Sequence, residues 1–582
     1  MSAVTPTDSG VAFSPGGFRN LAEALDCAAQ GRTGLNFHDG RGHVVESVPY
    51  AALRERARAT ARRLLALGLE RGDRVAVLAE TRSTFPEVFF ACQYAGLVPL
   101  AMPATLNLGG RDAFVDQLRR LMEVAQPRVV ISGEDFLAFV REAAEVAPAP
   151  CVHTPASLAE VEQYGGCLEP IAPDETAYLQ FTSGSTSAPR GVVIRRRAVM
   201  ANLDAILHPG VAMPPQERCV SWLPFYHDMG MVGMLLVPLV SQRSVDFLGT
   251  RDFAVRPLQW LRLLSRNGGT ISFAPPFGYN LCARRLRAAD LVGLDLSSWR
   301  VAGVGAELIR AGILEAFAEV MAPSGFDAQA FCPCYGLAEA SLAVSFASVG
   351  QGLQCECADP DAMQAEGIVR PAAQPGHGRR LVACGHPLPR HEVEIRDDGG
   401  RPLPERRIGH IAVRGPNVMS GYDNDDEASR EALDSDGWLH TGDLGCLTPN
   451  GLVVTGRSKD LIIVNGRNVW PEDVEQRVES EAGLRAGDVC AFAASGEDGD
   501  EEVVLVIQCR KRAPADRAAL RQLVTSVVQA HFGIRPVLDL VGPSGLPRTS
   551  SGKLSRSTAR AEFLARRAER AQETAPTGPL PE

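Results

Sequence analysis

The sequence predicts an α/β fold, with a large N-terminal domain of mostly parallel sheets and helices followed by a small α+β domain at the C-terminus. Short alternating apolar segments recur between stretches of helical periodicity through most of the chain, and near Arg457 that rhythm gives way to a separate α+β set. Size agrees: 582 residues exceed one ordinary domain, while 45% hydrophobic and 22% charged residues form a globular balance that argues against a fibrous repeat or wholesale disorder.

The elements follow in order. Ala51 to Leu67 places Leu53, Ala57, Ala61, Leu64 and Leu65 at near-helical spacing and stops at Gly68, after which RVAVLAE alternates as a strand. The same alternation marks RVVIS (Arg128 to Ser132), AYLQF (Ala177 to Phe181), GVVIRR with the helical AVMANLDAIL behind it, and WRVAGVGAE. A largely parallel sheet with covering helices is expected, with substrate loops at the strand ends. Beyond Arg457, helix PEDVEQRVES opens with Pro471 in its first turn; strands DVCAFAA and EEVVLVIQC, a helix from Arg517 to Ala530 and strand PVLDLV follow. The expected domains are residues 1–458 and 459–566, with a frayed, disordered tail over residues 567–582, where apolar content is lost.

Composition excludes several functions. With 59 basic and 69 acidic residues the chain has net charge -10, interspersed, which argues against a nucleic-acid partner. The longest apolar run, GMVGMLLVPLV from Gly230 to Val240, is too short to cross a bilayer and contains Pro238, so no transmembrane segment is expected. The first twenty residues lack a signal-peptide pattern, which points to a cytoplasmic protein whose 14 cysteines are reduced. Two CxC pairs, Cys332/Cys334 and Cys355/Cys357, are closer together than zinc knuckles space their cysteines, so packing and not metal is expected there.

The chemistry starts at Thr182 to Gly191, TSGSTSAPRG, directly after AYLQF. Its hydroxyls and unencumbered backbone N–H groups suit a polyphosphate, although the GxxxxGK[ST] Walker pattern is absent. Five further segments follow: SWLPFYHDMG (Ser221 to Gly230), GVGAE (Gly303 to Glu307), YGLAEA (Tyr335 to Ala340), WLHTGDLG through GRSKDLIIVNGRNVWPEDVE (Trp438 to Glu475), and LPRTSSGK ending at Lys553. Together they resemble the core motifs of the adenylate-forming enzymes, the superfamily of acyl-CoA synthetases, luciferases and peptide-synthetase adenylation domains, from about Tyr50 to Arg556. WLPFYHDMG, QFTSGST, YGLAEAS, VACGHPLP and KDLIIVNGRNVWPEDVE look like the fatty acyl-AMP ligase versions. The fifty residues between Tyr335 and Gly385 exceed the spacing in CoA-dependent relatives and resemble that family's insertion, placed within Ser348 to Arg380.

The resemblance implies a β-barrel-like subdomain, a mobile small domain, and ATP and Mg2+ as cofactors. Thr182, Ser183, Gly184, Ser185 and Thr186 would hold the β- and γ-phosphates, and Glu339 would coordinate Mg2+, a hard cation that takes carboxylate and phosphate oxygens. Gly305, Ala306 and Glu307 with Tyr335 and Gly336 would form the adenine slot, Asp443 would accept from the ribose hydroxyls, and Arg457 would contact ribose or phosphate. Lys553 would carry the first step, its ammonium meeting the charge that builds at the α-phosphorus and on the leaving pyrophosphate. Lys459 falls at the hinge, and His227 at the gate between nucleotide and thiol. The implied reaction turns a fatty or similarly apolar carboxylic acid and ATP into acyl-AMP and pyrophosphate. The acyl group would then pass to the phosphopantetheine of an acyl carrier protein in trans, since no GxDSL-like attachment site occurs in the chain. The insertion is expected to keep CoA out. The alternatives are an acyl-CoA ligase and a catalytically silent acyl- or nucleotide-binding homologue. Departures from the family pattern are Arg190 for a lysine, Val304 for an asparagine, Asp423 for the tryptophan of GYW, and Pro276 for an asparagine.

Overall fold

The computed structural model describes residues 4–6, 8, 10–12, 16–104, 110–182, 189–373, 378–464, 467–495, 501–543, 545–548 and 554–574. Of the site residues expected from sequence, Ser183, Gly184, Ser185, Thr186 and Lys553 lie outside the described residues.

Strand Arg74–Leu78 sits inside a six-stranded sheet ordered Cys151–His153, Val129–Ile131, Arg74–Leu78, Val98–Met102, Thr176–Thr182, Arg190–Arg195. Its alternate residues serve two cores. Val75 and Val77 pack with Leu53, Ala57 and Phe89 of the helices Tyr50–Ala66 and Thr84–Ala95, whereas Ala76 and Leu78 pack with Phe114 and Leu118 of helix Gly110–Ala125. Burial on both faces fits parallel pairing, which holds throughout except in the terminal hairpin Thr176–Thr182 to Arg190–Arg195.

A nine-stranded sheet stands beside it, ordered His386–Pro387, Ala343–Phe346, Phe331–Gly336, Val301–Val304, Ile271–Ala274, Arg218–Ser221, Ser244–Leu248, Gly34–His38, Val44–Pro49. Its middle is parallel and both edges are antiparallel. Glu392–Arg396, Gly409–Arg414, Leu439–Thr448 and Gly451–Arg457 form a four-stranded antiparallel sheet.

The expected insertion folds as a hairpin, Cys355–Ala358 against Arg379–Val382, with helix Pro360–Glu366 between its strands. Asp359 caps that helix, its carboxylate accepting from the N–H groups of Asp361 and Ala362. Met363, Val369 and Leu381 bury against Cys446 and Val453 of the four-stranded sheet, which fastens the segment to its neighbour. Cys332 is buried, with its thiol against the Ala347 carbonyl at 3.4 Å; Cys355 lies 3.7 Å from Arg380, and Cys357 is exposed.

After Arg457 the chain builds a three-stranded sheet from Val489–Ser495, Glu501–Gln508 and Val537–Val541. Val489 and Ala491 face helices Pro471–Glu481 and Pro514–Phe532, while Cys490 and Phe492 face helix Arg556–Thr574 through Ala559 and Phe563. The last helix corrects the expected tail, because it continues through residues 567–574. Charge holds what apolar content does not: Arg566 and Arg570 both reach buried Asp539, at 2.9 and 3.2 Å, and Arg567 reaches Glu502 at 2.9 Å.

Candidate active site

Strands Ile271–Ala274, Val301–Val304 and Phe331–Gly336 run parallel, so their C-terminal ends open on one side. A cavity of about 1720 Å³ lies there, bounded also by the four-stranded sheet and the C-terminal unit. It brings together Thr182, His227, Ala306, Glu307, Tyr335, Gly336, Glu339, Asp443, Arg457 and Lys459. Gly305 stands behind the wall, where a Cβ would come 2.8 Å from the Cys334 sulfur. Gly336 has a similar reason to be glycine, since a Cβ would fall 1.8 Å from the Leu342 carbonyl oxygen.

Asp443 and Arg457 are direct partners across a hairpin, which explains how residues 14 apart share a site. Arg457 Nε donates to Asp443 Oδ1 at 3.0 Å and the Tyr335 hydroxyl donates to Oδ2 at 2.8 Å. Burial, reinforced by the Asp443 charge, pushes the Tyr335 phenol well above its ordinary value, so it stays a donor. Asp443→Asn removes a charged acceptor from this knot. If Asp443 holds ribose, a charged hydrogen bond of about 1.5–3 kcal/mol corresponds to a roughly ten- to hundredfold rise in KM for ATP, read by pyrophosphate release at varied ATP.

Glu339 occupies the turn after Phe331–Gly336 and is raised above the usual carboxylate range by burial. The Tyr422 hydroxyl donates to its Oε1 at 2.9 Å, and the Arg190 guanidinium lies 5.3 Å from the Tyr422 ring. The departure at Asp423 therefore keeps the tyrosine that positions Glu339. Asp423 itself turns away and takes both arms of Arg74, each at 2.9 Å. Val304 is a fully buried strand residue. Pro276 opens helix Pro276–Arg285, where no N–H is needed, and the next N–H, of Phe277, donates to Glu307 Oε1 at 2.9 Å. Glu307 thus anchors a helix N-terminus at the cavity wall. His227 Nδ1 lies 2.6 Å from Asp228 Oδ1.

Sequence reasoning missed a buried ionic cluster at the same cavity. Glu472, Glu475 and Glu479 recur at helical spacing on Pro471–Glu481, and each is under 9% exposed. Arg310, from the large domain side, reaches Glu475 at 3.3 Å and Glu479 at 2.9 Å; Arg556 reaches Glu472 at 2.9 Å, Glu475 at 3.0 Å and Asp460 at 3.2 Å. Arg379, on the insertion's returning strand, holds Asp473 at 2.8 Å and lies 5.4 Å from the Trp470 ring centroid. Burial raises Glu475 and Glu479 and pushes Asp473 up to about 6, against the pull of the arginines. Three carboxylates along one face of a short helix, with no cation on that face, were the available signal.

The sequence matches the AMP-binding enzyme family over residues 32–423. It is 46% identical, over 97% of this chain and 98% of the relative, to a Caulobacter vibrioides (strain NA1000 / CB15N) protein provisionally named as an acyl-CoA synthetase. It is 32% identical to the long-chain-fatty-acid–AMP ligase FadD26 of Mycobacterium tuberculosis, over 88% of this chain and 90% of that protein. A solved structure from studies of fatty acyl-adenylate ligases of E. coli and L. pneumophila superposes with a TM-score of 0.92 at 46% identity, covering 96% of this chain and all of that one. No helix among the described residues is long and apolar enough to cross a membrane. A large cavity at parallel strand ends, the Tyr335–Asp443–Arg457 knot and these likenesses agree: the chain belongs to the AMP-binding enzyme family, among its fatty acyl-AMP ligases.

Proposed function

We propose that the chain joins a fatty, or similarly apolar, carboxylic acid to the α-phosphate of ATP with release of pyrophosphate, then passes the acyl group to the phosphopantetheine thiol of a separate acyl carrier protein. The observation that carries the first half is the cavity wall made by Ile206, Val211, Met213, Val237, Ile271 and Phe273, continuous with the site of Asp443 and Glu339. Such a wall dehydrates methylenes, worth about 0.8 kcal/mol each, and offers a polar chain nothing. Pyrophosphate release across straight-chain acids is therefore expected to improve by up to about fourfold in kcat/KM per added methylene until the wall is covered. A flat profile from acetate upward would refute an alkyl substrate.

In this reading the substrate carboxylate oxygen bonds to the α-phosphorus as the bond to pyrophosphate breaks, with Lys553 answering the charge on the leaving group. Tyr335, Asp443 and Arg457 hold the nucleoside end. Glu339 fits a magnesium ion: it is a half-buried carboxylate at the cavity with the neutral Tyr422 hydroxyl on one oxygen, raised by burial despite the pull of Arg457 and with no ion pair among the described residues. Bound there, magnesium would offset phosphate charge. Glu339→Gln is expected to raise the Mg2+ concentration for half-maximal pyrophosphate release by roughly 10- to 100-fold, and an unchanged Mg2+ titration would remove Glu339 from that role.

The grip of Arg379 on Asp473 and Trp470 supports the reading that the insertion restrains the C-terminal unit and so refuses free CoA. Replacing Gly350 to Arg370 by a short Gly/Ser turn together with Arg379→Ala is expected to yield acyl-CoA, seen by mass spectrometry beside unimpaired acyl-AMP. Adenylation that survives while CoA is still refused would place the block elsewhere.

A further inference from the structure

The stretch Thr250 to Val292 holds seven arginines against two aspartates, inside a chain of net charge -10. The fold gathers much of that charge. Helices Thr250–Val255 and Pro276–Arg285 meet at their C-terminal ends, where Arg285 Nη1 donates to the Ala254 carbonyl at 2.7 Å. Arg251, Arg256, Arg284, Arg285 and Arg287 are all exposed. Among the described residues, none of these five arginines makes an ion pair, while neighbouring Arg300 and Arg310 are paired with Glu217 and Glu475.

The cluster continues across to the C-terminal unit. Arg284, partly desolvated along its stem, is held below its ordinary basicity by that burial first and then by the nearby charge of Arg485; Asp488 offsets part of this, and Arg510 and Arg285 add to it. Arg510 is neutralised by Asp488, whereas exposed Arg485 makes no ion pair among the described residues. Among the described residues Asp488 is the one carboxylate acting on Arg284 here and is already engaged by Arg510, so the remaining guanidinium groups of the two units repel one another and the arrangement is stabilised when a further anion arrives. Its position gives that anion a purpose. Asn280, one helical turn before Arg284 on the same face, lines the cavity, as do Ala486 and Gly487 beside Arg485. The arginines therefore rim the mouth between the large domain and the C-terminal unit. Val255 and Val292, 64% and 84% exposed, add apolar contact area to the same segment.

We propose that this arginine rim docks the acidic face of the carrier protein that presents the thiol; the inference rests on the carrier reading above. A broad exposed surface flanked by apolar side chains suits a protein face, while the phosphates of CoA would ask for a compact pocket. Docking through rim charges governs encounter, so its loss falls on KM for the carrier and grows at low salt.

The test uses the whole chain, wild type and Arg284→Glu/Arg287→Glu, with Arg284→Gln/Arg287→Gln as a milder pair. The probes are a holo acyl carrier protein with an acidic helix beside its phosphopantetheine, the same carrier with that helix neutralised, free pantetheine and CoA. Expected are unchanged acyl-AMP formation, unchanged transfer to free pantetheine, and kcat/KM for the acidic carrier lowered roughly 10- to 100-fold at low salt, with kcat at saturation kept and the gap between variant and wild type closing on the neutralised carrier. Wild-type transfer to the carrier with no difference in the variants would overturn the docking surface and leave the carrier reading standing. Wild-type transfer to CoA alone, lost in the variants, would overturn both and assign the rim to the phosphates of CoA.

Discussion

Lys553→Ala is expected to lower the single-turnover rate of acyl-AMP formation by roughly 10² to 10³ fold while calorimetric ATP binding stays near wild type. Charge on the pentavalent centre and the departing pyrophosphate exists only as the reaction proceeds, so an ammonium aimed there stabilises the transition state far more than bound ATP. The magnitude follows by analogy with the loss of one oxyanion donor. The C-terminal unit brings to the cavity Arg548 and the segment from Leu554 to Ser557, which flank the lysine in sequence. An adenylation rate within about threefold of wild type would remove Lys553 from the mechanism.

Arg556→Ala should be the most damaging change outside the chemistry. Its guanidinium serves Asp460, Glu472 and Glu475, and the two glutamates are buried. Breaking a buried pair by deleting one member costs about 3–5 kcal/mol, because the orphaned charge remains. Chemical denaturation should show that loss at neutral pH. The pH dependence has a definite sign. Glu475, Glu479 and Asp473 bind their protons more tightly in the folded chain, since burial raises them above the ordinary carboxyl range near pH 4. Their contribution is complete below the unfolded value and is lost as pH climbs through the folded one, which for Asp473 is about 6. Wild type should therefore gain stability on acidification from neutral pH toward 5, and Arg556→Ala should gain more, because losing the cation raises the glutamates further. A deficit that stays constant over that range would mean these carboxyls do not titrate there.

The sheets were legible because strand and helix periods differ so clearly, as in RVAVLAE after Gly68, and because Pro471 marked a helix start. The Tyr335–Asp443–Arg457 knot was legible only as motifs: these residues carry no spacing that forces contact, and the hairpin that unites the last two had to be seen. The ionic cluster stayed hidden because Arg310 precedes Glu475 by 165 residues and nothing local signals that they meet. The helix through residues 567–574 was missed for the opposite reason, since its charged composition reads as a solvated tail until buried Asp539 supplies a partner. Asp423 looked like a defect in a motif; it is half of a pair whose other member lies 349 residues earlier.

That pair has a consequence for how the chain is made. Tyr422 bridges Val192, Val193 N–H donates to Gly421, and Asp423 N–H donates to Gly191, so the segment around Tyr422 covers the outer edge of the hairpin strand Arg190–Arg195. Tyr422 is synthesised 227 residues after Arg195. At about 5–20 residues per second the strand waits roughly 10 to 45 s on the ribosome with its edge bare. An unpaired edge invites other nascent strands, so this hairpin is the place where slow translation or crowded polysomes would divert the newborn enzyme into aggregates.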